Sequence, residues 1–353
     1  MGRPFFVACL STCPNTQIEP IWFETEMVNN MSDPVIFSYG LNGATAGQAL
    51  QGKRIGEVLK SDDLAWVHLD ATHPNAADWL HKNLSYLDPF VVQALVAEET
   101  RPRATITGKG ALVIYRGVNM NENSSPEDMI SVRLWIDEHR IISLQRRPSR
   151  SIASLASDIG AGKGPDNAGA FASAITARLT AYLGPVVSEI DDTVDDLEEQ
   201  LIEGVDQSER HAINAARRKT LVLRRFLAPQ KDAILQFRDA DLAWLKEADR
   251  RHLGESYHIA QRNVEDLDMI RERAQIVKEE LASGLADKMN RNMYILSVIA
   301  AIFLPLGFLT GLLGINIGGI PGADNPNAFW WFALGMVIIV AAQVWLFRKM
   351  RWF

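Results

Sequence analysis

Cysteine is nearly absent: Cys9 and Cys13 are the only two in 353 residues. A disulfide framework is therefore excluded, and a Cys-x3-Cys pair without neighbouring histidines makes a poor zinc site. Basic residues are in deficit, 36 Lys and Arg against 43 Asp and Glu for a formal net charge of −7, which argues against a nucleic-acid partner. A phosphate loop is lacking too. Gly160-Ala161-Gly162-Lys163-Gly164 does not have the spacing and follows no strong strand. With no nucleophile arrangement or metal triad in sight, the chain does not read as an enzyme, and no tightly bound cofactor is expected. Residues 1–30 are an N-terminal extension without functional signal. Phe5–Leu10 is apolar behind Arg3 but shorter than the roughly 7 to 15 residues of a signal-peptide core, and Met27 and Met31 suit a later start.

The most informative absence is of charge at one end. Asn292–Ala323 carries no charged residue, and neither does Asn325–Phe347. Asp324 and the tail cations Arg348, Lys349 and Arg351 account for the difference between the net −7 of the chain and the −9 of residues 1–291. An acidic, water-soluble body is fused to an apolar end.

Residues 31–165 read as a cytoplasmic α/β domain. Val35–Tyr39, Ala65–Leu69, Ala111–Val118, Ile130–Ile136 and Ile141–Leu144 are short apolar or alternating runs that suit strands. Asn75–Leu84 and Pro89–Glu98 suit helices, the second opened by Asp88-Pro89. The run Gly160–Pro165 breaks structure and marks the domain boundary. Residues 166–291 read as a helical stalk. Ala170–Ile202 carries the acidic patch Asp191–Glu199, and Ser208–Lys246 carries the basic cluster Arg217–Arg225. A third helix is expected from near Gly254, with Val264, Leu267, Ile270, Ala274, Val277, Leu281 and Leu285 on one apolar stripe. Continuous to Leu313, it would be a rod of roughly 90 Å that needs neighbouring helices, some from other copies of the chain.

Residues 292–353 read as a transmembrane hairpin. Met293–Leu313 and Ala328–Phe347 are each long enough to cross a hydrocarbon core of about 30 Å. Residues 314–327 form the outer loop between them. Lys288, Arg291, Arg348, Lys349 and Arg351 flank the spans, while the loop has no Lys or Arg, so both termini are expected in the cytoplasm. On the first span Asn290, Met293, Ser297, Ala300, Leu304, Gly307 and Gly311 share one face, which fits either a close-packed helix interface or a pore lining. The loop Gly314-Ile315-Asn316-Ile317-Gly318-Gly319-Ile320-Pro321-Gly322-Ala323-Asp324 favours the pore. Its glycines let the backbone approach closely, and a ring of Asn316 amides could hold a divalent cation through its water. The bland alternative is a tight turn at the membrane surface.

Gly314-Ile315-Asn316 directly after the first of two C-terminal spans, with Phe303-Leu304-Pro305-Leu306 ahead of it and a long helix before that, resembles the CorA-type metal ion transporters. Ile315, followed by Ile317-Gly318-Gly319-Ile320-Pro321-Gly322, is similar to their ZntB-like branch. The resemblance implies an α+β cytoplasmic domain followed by long α-helices and two transmembrane helices, in a funnel-shaped homopentamer in a bacterial inner membrane. It implies Asn316 as the selectivity residue and Asn290, Met293, Leu296, Leu304 and Gly307 as pore-lining positions. Leu304 and Gly307 stand where magnesium-transporting relatives have methionine and threonine, which weakens the case for Mg2+. The transported ion implied is Zn2+, with Mg2+, Co2+, Ni2+ and Cd2+ as alternatives. Proton coupling is implied as well, yet neither span holds Asp, Glu or His, leaving Asp324, a cytoplasmic histidine or a water chain as relay. A membrane-tethered sensor or scaffold would leave the Asn316 loop unexplained. In the cytoplasmic part His68 and Asp70 alternate on a strand near His73 and His81 and suggest a metal site, although packing or surface roles are commoner for such histidines.

Overall fold

The computed structural model describes residues 33–203, 207–314, 322 and 325–349. The chain divides into two compact units, one of residues 33–183 with Phe226–Gln261, the other of Gly184–Arg225 with the residues from Arg262 onward.

The first unit is built on six strands, β1 Val35–Gly40, β2 Ala65–Asp70, β3 Arg103–Thr107, β4 Gly110–Gly117, β5 Ile130–Ile136 and β6 Arg140–Gln145. They form one sheet in the order β1-β2-β6-β5-β4-β3. Only β2 and β6 run parallel, with Trp66 opposite Ile141 and His68 opposite Ser143. Helices α1 Lys53–Val58, α2 Ala76–Asn83 and α3 Pro89–Val96 cover one face. Val67, Leu69, Leu112, Ile114, Ile142 and Leu144 bury against them. The other face packs Trp66, Val113, Tyr115, Leu134 and Ile141 against α4 Arg150–Gly160 and α5 Ala168–Ala181, together with Ile234 and Phe237. A sheet covered on both faces explains why its central strands read as nearly unbroken apolar runs.

Local chemistry sets the element ends. The Asp88 carboxylate accepts a hydrogen bond from Phe90 N at 2.8 Å, and Asn167 accepts from Ala170 N at 2.9 Å, each opening a helix. Buried Arg133, in the middle of β5, donates to the carbonyls of Leu95 and Glu98 and so closes the end of α3. The edge strand β3, which no apolar pattern announces, reaches β4 through Gly108, whose φ of +59° falls in the region glycine adopts freely. α4 is likewise an element that the sequence pattern did not suggest.

The long helices are α6 Leu183–Glu203, α7 Gln207–Arg238, α8 Glu247–Leu313 and α9 Ala328–Lys349. Where helix was expected to run on to Lys246, the chain instead turns between Arg238 and Glu247. Leu242, Trp244 and Leu245 drop into the core there, Trp244 Nε1 donates to Lys109 O at 2.8 Å, and Asp249 Oδ2 accepts from Lys246 N at 3.1 Å. α8 therefore begins seven residues before Gly254.

In the second unit the expected stripe of α8 is buried from Val264 to Leu281. Arg273 of α8 gathers Asp191, Asp195 and Glu198 of α6, and Arg224 of α7 holds Asp268 at 2.5 and 3.1 Å. Residues four and three apart on α6 reach the same guanidinium because they lie on one helical face. Past Leu281 the helix is mostly exposed, with Val298 its one buried residue among those described.

Candidate ion-permeation segment

From 282 onward α8 exposes large apolar side chains, among them Met289, Met293, Leu296, Phe303, Leu304 and Phe308, and α9 buries no residue. In water such a surface is costly, so its solvent must be lipid or other copies of the chain. A third segment, 168–200, is also apolar and long enough to span, but its Phe171, Ala172, Ile175 and Leu179 fill the core against the sheet.

At about 100° per residue, Asn290, Met293, Ser297, Ala300, Leu304, Gly307 and Gly311 fall within one narrow sector of α8, with Leu296 at its edge. The covered or half-covered Val298, Ile302, Leu306 and Leu309 fall on the far side, and half-covered Ala301 borders the sector. All the sector's residues except half-buried Ala300 are exposed. A Cβ placed on Gly307 or Gly311 would meet nothing within 4 Å. Hydroxyls on this segment turn inward to the backbone: Ser297 Oγ donates to Met293 O at 2.8 Å, and Thr310 Oγ1 donates to Leu306 O at 3.0 Å. Pro305 lies inside the helix and withholds the N–H that the Ala301 carbonyl would otherwise accept.

Below the sector a groove of about 390 Å3 is lined by Leu285, Lys288, Met289, Asn292, Met293 and Leu296. Met289 and Asn292, residues that the three-and-four spacing passed over, line this groove beside Met293 and Leu296. Sequence reading also passed over Gln343, an amide in the uncharged part of α9 whose Oε1 is buried without a hydrogen-bond partner.

At the outer end Gly314 N donates to Thr310 O at 2.9 Å, and a Cβ there would sit 2.9 Å from that same oxygen. Ile315, Asn316 and Asp324 lie outside the described residues.

Among the described residues no group of three or more His, Cys, Asp or Glu could hold a metal ion. His68 is a core residue, its ring stacked on Phe37 and its Nδ1 2.7 Å from Ser143 Oγ, and burial pushes its pKa down to about 4. On α6, partial desolvation raises the Asp191 carboxyl, with Arg273 pulling the other way.

Residues 61–349 match the family profile described as CorA-like Mg2+ transporter protein. The chain belongs to the CorA-like transporter family. Over 322 residues, 90% of this chain and 96% of the relative, it is 38% identical to the divalent cation transporter CmaX of Pseudomonas aeruginosa. It is 36% identical over 317 residues, 88% of this chain and 96% of the relative, to the zinc transport protein ZntB of Pectobacterium atrosepticum. The solved structure of full-length CmaX superposes with a TM-score of 0.76 at 38% identity, covering 90% of this chain and 98% of that one. The CorA-like fold thus joins a soluble α/β domain to long helices that end in apolar segments. Its family consists of ion transporters.

Proposed function

We propose that this CorA-like chain is a zinc uptake transporter of a bacterial inner membrane, assembled as a homopentamer. Each copy spans the bilayer twice, with α8 facing a central path and both termini in the cytoplasm. The observation that carries the reading is the uncharged, small-residue sector of α8, open on the side opposite its covered residues. One helix cannot enclose a path, so the sector requires partners to be anything but lipid-exposed. Relatives named zinc transport proteins and the Gly314-Ile315-Asn316 sequence support zinc as cargo.

A divalent cation enters at a ring of Asn316 amides with much of its water. It then passes Gly311, Gly307, Leu304 and Ala300, meeting backbone and apolar surface rather than a fixed charge that would trap it. Asn290 and Met293 stand at the inner end. An inside-negative potential drives the ion at about 2.3 kcal/mol per charge per 100 mV, roughly doubled for a divalent ion. Without an Asp, Glu or His in either span, coupled protons would move through Asp324, a cytoplasmic histidine or water.

The test is dye-reported Zn2+ uptake into proteoliposomes of the purified protein, with and without an acid-outside pH gradient. Asn316→Ala should lower the zinc rate by tenfold or more, and unchanged flux would end the selectivity assignment. Mg2+, Co2+, Ni2+ and Cd2+ serve as competitors. The family profile names Mg2+, so a chain that carries Mg2+ in preference to Zn2+ would instead be a magnesium channel.

A further inference from the structure

A second groove, of about 660 Å3, runs along α9. It is lined by Met336, Val340, Val344 and Trp345, by Leu306 of α8 and, in the last turn, by Arg348. Met336, Val340, Val344 and Arg348 are each four residues apart and form one row along the helix. From Met336 to Arg348 the row spans about 18 Å, close to the roughly 15 Å of hydrocarbon in one leaflet. The walls are apolar until the final turn. There the charge is wholly positive: Arg348 lines the groove and the ammonium of Lys349 lies 5.1 Å from the Trp345 ring. Among the described residues neither cation has an acidic partner.

We propose that this groove binds an anionic glycerophospholipid, with an acyl chain along Met336–Val344 and the headgroup phosphate on Arg348 and Lys349. The shape asks for a chain as long as a leaflet is thick, and the charge asks for an anion at one end. A second copy supplies the first requirement, but its two spans carry no acid to meet the second. A tryptophan beside the basic pair suits the interface where headgroup and chain meet. Placing the lipid in the cytoplasmic leaflet rests on the topology proposed above. The groove and its cations do not.

The experiment uses the full chain in neutral detergent and needs no transport, so its failure is separable from that of the zinc reading. Phosphatidylglycerol, phosphatidylcholine with the same chains, and inorganic phosphate are titrated separately. Thermal midpoint and lipid adducts in native mass spectrometry are the readouts. Phosphatidylglycerol alone should raise the midpoint and remain bound. The double variant Arg348→Gln, Lys349→Gln should bind it on the order of 30-fold more weakly, whereas Arg348→Lys, Lys349→Arg should retain it. Val340→Trp, which fills the groove and keeps both charges, should lose the adduct. An equal response to phosphatidylcholine, a response to phosphate alone, or unchanged binding in the neutral and filled variants would overturn the proposal. So would efficient disulfide cross-linking of Val340→Cys between copies, which would put a second copy in the groove.

Discussion

His68 and Arg133 are the residues that an alternating pattern misplaces. Both lie on strands covered from two sides, so the polar positions that a half-exposed strand would show to water are here in the core. Each is accommodated by specific partners, Ser143 for the imidazole and the carbonyls of Leu95 and Glu98 for the guanidinium. The imidazole carries a measurable consequence. Burial holds its folded pKa at about 4, against 6.5 for a free imidazole. Above about pH 6.5 the ring is neutral in both states and contributes no pH dependence. Between 6.5 and 4 the unfolded chain takes up a proton that the folded one refuses, so stability falls as pH falls, by up to about 3 kcal/mol. His68→Asn keeps an oxygen for the Ser143 hydroxyl and removes the titration. We expect the variant to be less stable than the parent near neutrality but to lose less of its thermal midpoint between about pH 7 and about pH 5. Parallel losses in the two proteins would refute the assignment.

At the scale of elements, α8 carries the argument, and its two ends make different demands on glycine. Gly307 and Gly311 have open space where a side chain would go, so a protomer tolerates one there. Gly314 does not, because its Cβ would crowd Thr310 O. If the sector lines a path between copies, Gly307→Leu should leave expression and thermal midpoint near the parent values while cutting zinc flux by tenfold or more. Gly314→Ala should disturb the helix end and lower both. A Gly307→Leu protein with full flux would place that face in lipid. Much of this element was legible in sequence, because uncharged length and three-and-four spacing report directly on a helix in an apolar medium. The stripe from Val264 to Leu281 was legible for the same reason. The turn between α7 and α8 was not. Asp239–Lys246 contains neither glycine nor proline, and what breaks the helix there is the burial of Leu242, Trp244 and Leu245, a tertiary effect without local signature. β3 escaped because a short edge strand with no buried residue has almost no apolar pattern to read, and the partner of the acidic patch escaped because Arg273 sits in a mixed Arg271-Glu272-Arg273 run rather than a basic cluster. Of the candidate site, the α8 sector could be followed from spacing to surface, whereas the roles of Ile315, Asn316 and Asp324 rest on the loop sequence.

For the whole molecule, charge distribution decides what can drive transport. A body of net −9, two uncharged apolar stretches and a tail of three cations leave no Asp, Glu, His, Lys or Arg in those stretches to exchange a proton for a metal. A cation crossing such spans moves its full charge through the membrane field. At 100 mV, inside negative, a divalent ion gains about 4.6 kcal/mol, a limiting accumulation on the order of 10^3-fold, and the acidic body adds a local concentration effect that salt would weaken. Zinc influx into proteoliposomes should therefore rise with a valinomycin-set potassium potential even when pH is equal on both sides. A pH gradient at zero potential should act only through a group outside the spans. Asp324 is the ionisable residue in the loop between them, so Asp324→Asn should remove the pH-driven component and leave the voltage-driven one. Influx that ignores the potential, yet follows the pH gradient unchanged in Asp324→Asn, would mean that protons and metal share a path these uncharged spans cannot provide, and the assignment of the permeation segment would fall with it.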